Sequence, residues 1–404
     1  MNARGLEDDG MKYLVIGGGI SGMFAAYYLS KDGHEVTVVD RTSGAVRASV
    51  YNSGFISPSF SPSPIGLSRI IAAYFTRSGP VYVSLREMFK NPSWFQIALR
   101  KGISGNEHVI IELGMKSLSL YREFLKDNKV EADVLEEVVG LFKSADHARE
   151  SATELKGRFV DERETTEMGF GGFGGGVLFA ELSLHPRKLV ERLEQILVDL
   201  GVKLLRGKSA RLNVDNDRGV IEYASVDGET VKADGYILAA GSWTKELCEP
   251  FGYDPHILPA RGLVLIYDTA GEKVIDYPGL FEDEGITMVQ HDRTTLRMTS
   301  FFEIVGYDSI FGASKKKWLF DSATAHLIRM PKLTLVEEGM GYRPCTPDQL
   351  PVVGRIPRCS NGYIIGGTCR QGLTLAPAAA YLISALIKGS SEPVLEPIDP
   401  GRFS

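Results

Sequence analysis

The sequence predicts an α/β fold with a parallel sheet, joined to a second unit built on an antiparallel sheet (α+β), and three observations carry that prediction. The first is an opening strand, glycine turn, helix and strand in "KYLVIGGGISGMFAAYYLSKDGHEVTVVDR". The second is the return of a strand, glycine loop and helix in "GYIIGGTCRQGLTLAPAAAYLISALIKG". The third is the alternation of apolar and polar residues between 255 and 340, as in "GLVLIYD" and "TLRMTSFFEIVGYD", which is the habit of antiparallel strands with one wetter face. A chain of 404 residues exceeds the usual size of one core, so two units are expected.

In the opening unit, Tyr13 to Ile16 form a short apolar run, as in a strand buried on both faces. Gly17, Gly19 and Gly22, with Ile20 and Ser21 between the last two, have GxGxxG spacing. That spacing permits a tight turn, close approach to a pyrophosphate, and packing of the next helix on the sheet. Met23 to Leu29 make that helix, whose N-terminus offers unpaired N–H groups and positive dipole ends to a phosphate. Val36 to Val39 make the next strand, and Asp40 closes it 18 residues after Gly22, where a carboxylate can accept from a ribose diol. The unit is therefore read as dinucleotide-binding.

A loop rich in Ser, Gly and Pro follows, "RASVYNSGFISPSFSPSP", holding Arg47, Ser49, Asn52 and Gly54. Residues 65–101 carry six basic residues, Arg69, Arg77, Arg86, Lys90, Arg100 and Lys101, against one acid, Glu87. A segment of that kind lies on a membrane surface or, as the more ordinary reading, forms helices packed on the domain with their cations in water. Residues 108–127 have helical periodicity, and "GFGGFGGGVLF" reads as turn and strand. "HPRKLVERLEQILVDLG" is a helix begun by Pro186 and ended by Gly201. "VKLLRG", "SARLNV", "GVIEYASVDGETVKA" and "GYILAAGSWT" then read as successive strands returning to the first sheet, the last ending at Ala240 and Gly241. The final helix, from near Leu373, aims a second N-terminus at the ligand.

Composition excludes some classes. Hydrophobic residues make up 44%, charged residues 24%, and the net charge of -6 suggests no nucleic-acid partner. Cys248, Cys345, Cys359 and Cys369 lack metal-site spacing, so neither a metal site nor a disulfide framework is expected, and Cys369 reads as a small buried residue. With no signal-peptide pattern and no run of about 18 apolar residues, the expected setting is cytoplasmic, with peripheral contact at the inner face of a membrane as an option. Met11 stands as a possible second start, leaving 1–10 as a mobile extension.

A second glycine loop and helix is more than an NAD site needs and suits FAD, whose ADP half would sit on the first loop with the isoalloxazine between the units. The second helix N-terminus would stabilise negative charge gained by the ring on reduction. "GGGISG", "ASVYNSGFISP", "LHPRKLVERL", "AAGSWT", "GYRPCTPDQLPVVG" and "GTCRQGLTLAPAAAYLISALI" together resemble the FAD-dependent D-amino acid oxidase (DAO) superfamily, over nearly the whole chain. The nearest pattern is that of D-amino acid dehydrogenase small subunits, then glycine oxidases. The resemblance implies a GR2-type, Rossmann-like FAD-binding domain from 11–60, 185–250 and 341–395, and a substrate-binding domain from 61–184 and 251–340. It places Gly17, Gly19 and Gly22 at the pyrophosphate and Asp40 with Arg41 at the ribose, Asp standing where the family usually has Glu. Ser49, Asn52 and Gly54 would lie along the diphosphate and flavin, Ala210 at the adenine, Gly241 at a second turn, and Gly372, Leu373 and Thr374 over the flavin pyrimidine. Gly341 occupies the position where sarcosine oxidases attach flavin through cysteine, which implies noncovalent FAD.

By the same resemblance Arg343 in "GYRP" grips a substrate carboxylate and Arg370 in "TCRQG" is a second arginine near the flavin. A planar guanidinium suits that work because it donates two parallel bonds to a carboxylate. Read from the residues alone, Arg343 is also compatible with a structural ion pair, and Arg370 with service to its own loop. Glu303, Tyr307, His185 and the "TPD" at Thr346 to Asp348 read more naturally as structural. The expected reaction is oxidation of the Cα–N bond of a D-amino acid or an imino acid such as proline, to an imine that hydrolyses, with electrons passed to a quinone or dye-type acceptor. The alternatives are an oxygen-using oxidase of glycine or sarcosine type, and a flavin-binding subunit without catalysis, either of them as an oligomer or alone.

Overall fold

The computed structural model describes residues 10–43, 48–60, 79–101, 106–390 and 392–403, and of residues 100 and 101 the backbone only. Arg47, Arg69 and Arg77 lie outside the described residues, as do residues 1–9 of the expected N-terminal extension.

The strands that position the site are β1 (Lys12–Ile16), β2 (Glu35–Asp40), β3 (Lys203–Arg206), β4 (Gly235–Leu238), β5 (Leu258–Asp268), β6 (Thr295–Ile304), β7 (Thr334–Cys345), β8 (Val352–Arg355) and β9 (Gly362–Gly366). Six of them form one sheet in the order β8-β9-β4-β1-β2-β3. β1 lies at its centre, parallel to β4 and β2, with Tyr13 opposite both Gly235 and Val36. Successive β1 side chains go to opposite faces: Tyr13 and Val15 join one core cluster, Leu14 and Ile16 another. This is why the run is apolar throughout.

The helices α1 (Ile20–Lys31), α2 (Glu107–Asp127), α3 (Pro186–Asp199) and α4 (Gly372–Ile387) cover one face of this sheet, with α4 packed on α1 and α2. Pro377 stands inside α4. It has no N–H for the carbonyl of Leu373, four residues earlier. The Tyr121 hydroxyl of α2 supplies the missing donor at 2.8 Å, and Ser117, one turn before it, accepts from the Ala378 N–H at 3.3 Å. Two side chains of α2 thus hold the first turns of α4 in place.

Two of the four expected strands go elsewhere, and the second of them is itself a hairpin of two strands. Only "VKLLRG" and "GYIL" of the run 202–244 join the parallel sheet, whereas residues 210–215, 220–226 and 229–231 form a separate three-stranded antiparallel sheet. Their connections are two to four residues long, enough for hairpins and too short for parallel crossovers.

Among the described residues the second large sheet has nine strands. β7, β5 and β6 are antiparallel neighbours, followed by Ile286–Val289, Gly279–Phe281, Val138–Phe142, Gly175–Phe179 and Arg158–Asp161, while Val81–Val83 pairs with β6. β7 runs across residue 341, so the strand that ends this sheet also leads into the dinucleotide sheet.

The cysteine expectation is corrected by the fold. Cys345, at the end of β7, and Cys369, in the turn before α4, are joined in a disulfide with their Cα atoms 4.2 Å apart. The two residues are 24 positions apart and meet only because the turn before α4 packs against β7, where Cys345 also bridges Thr368. Spacing along the chain does not show such a pair. Cys248 and Cys359 are free and buried.

Candidate active site

One cavity of about 1720 Å³ runs between the two large sheets, and its wall gathers nearly every site residue expected from the sequence. Gly17, Gly19, Ile20, Ser21, Asp40 and Arg41 line one end together with Ala210, Ala240 and Gly241. Ser49 and Asn52 line the middle, and Gly372, Leu373, Thr374, Arg343 and Arg370 the other end. Gly22 and Gly54 stand behind this wall.

At the first end the chain makes a cradle from backbone. Gly17 has φ +115 and a side chain there would run into the Ala239 carbonyl, while one at Gly22 would run into the carbonyl of Gly17. Only bare backbone lets β1 turn into α1 beside β4. Asp40 accepts from the N–H groups of Gly18 at 2.6 Å and Thr42 at 2.7 Å, which ties the end of β2 to the glycine turn. The first turn of α1 holds no acidic residue, so its positive end has no carboxylate of its own. Ser49 accepts from the Ile20 N–H at 2.9 Å and so shares in that helix start. Arg41 does not point alone into the cavity: its guanidinium lies 3.9 Å over the Trp243 ring, which stacks on Tyr307.

The loop in the middle is shaped by its own side chains. Asn52 donates to the carbonyls of Ala48 and Ser49 and accepts from the Gly54 N–H, so it folds the loop instead of reaching into the cavity with its donors. Arg297, buried on β6, donates to the carbonyls of Val50 and Asn52. Burial lowers that guanidinium to about 10. Glu181 accepts from Ser57 and Ser59 below the cavity floor, and its carboxyl is pushed up, chiefly by burial. Neither Arg297 nor Glu181 is marked by a motif, and both were missed in the sequence.

The far end is built on β5, β6 and β7. Arg343 lies opposite Ala260 in the β5–β7 register, and a side chain at the neighbouring Gly262 would occupy the space of its guanidinium. Its Nη1 donates to the Phe301 carbonyl at 2.7 Å. Phe301 has φ 71, a left-handed conformation that is strained for an aromatic residue, and it sits where the β5–β6 pairing shifts register. The bulge turns the carbonyl toward Arg343. Burial, and then the charge of Arg370, lowers the Arg343 guanidinium to about 10, so it stays cationic at neutral pH. Arg370 is exposed on the same wall. The first turn of α4 carries no acidic residue, and its residues Gly372, Leu373 and Thr374 line the cavity beside the two arginines. Around them Phe55, Phe60, Val81, Leu280, Met340 and Phe302 supply apolar wall.

The residues read as structural are bonded within the protein and do not line the cavity. Glu303 is 1% exposed and pairs with Arg261 at 2.8 Å and with Lys315. Tyr307 donates to the Ser242 carbonyl, and His185 caps α3 by accepting from the Lys188 N–H. Thr346 and Asp348 close a turn, with Asp348 also paired to Arg402. A side chain at Gly341 would meet the Ala48 backbone.

A long dinucleotide fits this cavity: a bare-backbone cradle and helix start at one end, an uninterrupted channel, and a second helix start at the other. A family model described as FAD dependent oxidoreductase (DAO) matches residues 12–386. A D-amino acid dehydrogenase of Methylobacterium nodulans is 26% identical over 94% of this chain and 96% of that protein. Among solved structures, L-proline dehydrogenase from P. horikoshii superposes with TM-score 0.76 at 17% identity, covering 98% of each chain. Iminodiacetate oxidase from Chelativorans sp. BNC1 superposes with TM-score 0.75 at 17% identity, covering 96% of this chain and 98% of that one.

Proposed function

Because the chain belongs to the DAO family of FAD-dependent oxidoreductases, we propose that it oxidises the Cα–N bond of an amino acid held by its carboxylate at Arg343. The division of labour along the cavity supports this reading. The nucleotide half is held by Gly17, Gly19, Gly22 and Asp40, with Ala210 and Gly241 at its flanks, and the ring by the start of α4. FAD supplies the two-electron acceptor when bound; no side chain is placed to anchor it covalently at Gly341. Ser49, Asn52 and Gly54 belong to the loop that runs beside it. The two domains are, on this proposal, a dinucleotide unit of 11–60, 185–250 and 341–395 and a substrate unit of 61–184 and 251–340.

The single observation that carries the substrate class is the geometry of Arg343. A guanidinium with one edge spent on the Phe301 carbonyl keeps its other donors for a planar anion. Binding there fixes the direction of the substrate's Cα–H bond, and the apolar wall excludes water from a neutral amine. Arg370 adds a second positive charge on the same wall. No side-chain base is needed when the amine enters neutral, because its lone pair drives loss of hydride from Cα.

Relatives named as dehydrogenases favour a quinone or similar acceptor over oxygen, and the M. nodulans protein favours a D-amino acid. The P. horikoshii enzyme, named for L-proline, keeps an imino acid in view. The test is anaerobic. The purified yellow protein is mixed with each D- and L-amino acid and with proline, and absorbance near the flavin maximum is followed. Bleaching by a set of amino acids and not by the matching carboxylate-free amines is the expected result. Equal bleaching by both would end the Arg343 reading, and bleaching by neither would end the amino acid reading.

A further inference from the structure

Arg343 and Cys345 stand two residues apart on β7, and Cys369 and Arg370 are adjacent in the turn before α4. The disulfide between Cys345 and Cys369 therefore bonds together the two segments that carry the site's two guanidiniums. Cys369 lines the cavity, with Pro344, Thr368 and Arg370 around it. On its other side the bond is sealed by an apolar cluster of Val83, Trp94, Leu258, Ala260 and Ile304, and the Trp94 indole donates to the Cys345 carbonyl at 3.1 Å. With Cys345 1% and Cys369 5% exposed, the approach to the sulfurs is from the cavity.

The surroundings suit a sulfur pair that changes state. A thiolate forms most readily beside fixed cations, and each of the two segments joined here carries an arginine of the cavity wall. The other cysteines contrast with it. Cys248 is buried away from the cavity, and burial pushes its thiol up to about 12; burial also raises Cys359. Cys369 itself has φ 46, a left-handed conformation uncommon for a residue with a side chain. Strain of that kind collects at functional positions.

Resting on the reading above, we propose that Cys345 and Cys369 form a second two-electron centre, a redox-active disulfide that accepts the electrons taken from the substrate. The amino acid loses hydride from Cα and a proton from nitrogen as the C=N bond forms. The S–S bond breaks, and two electrons with two protons convert it to two thiols. The net exchange of one amino acid and one disulfide for one imine and one dithiol balances without a further reactant, with FAD as carrier between them. Turnover is completed by an acceptor of quinone or disulfide class that reoxidises the dithiol.

The test counts thiols and electrons on the holoenzyme. As isolated in air and then unfolded, it should show two reactive thiols per chain toward dithionitrobenzoate, Cys248 and Cys359. After anaerobic exposure to a bleaching amino acid and removal of small molecules, the count should be four, the full complement of the chain. A bleached flavin with the count unchanged at two overturns the proposal, as does a count of four before any reduction. If no amino acid bleaches the flavin, the reaction proposed above fails separately, and stepwise dithionite titration decides the disulfide. Uptake of about four electrons per FAD supports it and about two overturns it, since one disulfide accepts two. Cys369→Ser should cut the uptake from four electrons to two at unchanged FAD content; uptake of four in that variant would overturn the assignment.

Discussion

The two ends of the cavity are made by different means. At the end proposed for the nucleotide the chain presents backbone: glycines, a helix start, and one carboxylate already bonded to two N–H groups. At the far end it presents long side chains aimed by a sheet, and the decisive contact is a strained carbonyl holding a guanidinium. Backbone recognition is local in sequence, whereas side-chain recognition here depends on three strands that are far apart along the chain. The nucleotide end is expected to tolerate loss of a single polar contact better than the substrate end tolerates loss of its cation.

The sharpest separation comes from Arg343→Met. A carboxylate left without its counter-charge in a water-poor site should cost about 3–5 kcal/mol in kcat/KM, with FAD content unchanged. Steady-state kinetics beside the flavin-to-protein absorbance ratio checks both halves, and loss of FAD in this variant would show that the ends are not independent. Arg343→Lys keeps the charge and loses the fork, so it should fall between.

A smaller effect is expected from Asp40→Ala, read as the FAD dissociation constant of the apoprotein. Losing charge-assisted bonds should weaken binding by about 1.5–3 kcal/mol, while saturating FAD restores kcat. Unchanged affinity would mean that the nucleotide end is held by backbone alone.

The smallest effect belongs to a residue that lines neither end. Tyr121→Phe leaves the Leu373 carbonyl of α4 buried without its donor and should lower stability by about 1–2 kcal/mol in urea unfolding. Because α4 begins at the end of the cavity proposed for the flavin, FAD binding should weaken along with it. A stability loss with FAD affinity untouched would confine Tyr121 to packing.

The sequence made the nucleotide end readable because Gly17, Gly22 and Asp40 are fixed by local geometry: each is the residue type its own turn requires. Arg343 and Arg370 entered through resemblance, since no spacing rule places them in one cavity. The Phe301 carbonyl, Arg297 and Glu181 stayed hidden because their partners lie more than 40 residues away and are backbone or loop atoms. Pro377 offered a signal that went unused: a proline inside a helix announces an orphan carbonyl, and a donor for it must be somewhere in the fold. The cysteine pair failed for a different reason. Absence of a motif was read as absence of a bond, and tertiary packing brought together what spacing did not.

The order of the dinucleotide sheet has a consequence for how the protein comes to hold its cofactor in the cell. β1 is among the first parts of this sheet to be made, yet β9 and α4, which finish the sheet and the end of the cavity proposed for the flavin, come from residues 362–387. Parallel pairings across such spans close slowly, and domains of this size pass through partly built states. During synthesis β1 gains its neighbours β2 and β4 well before residues 362–387 emerge, but α1 lacks the helix α4 that packs on it until then, so the cavity is completed on a nearly finished chain. Cofactor supply then acts on the last step of maturation: in flavin-poor cells the protein should accumulate as folded or partly folded apoprotein that remains open to proteolysis along residues 362–387, and adding FAD should close that window.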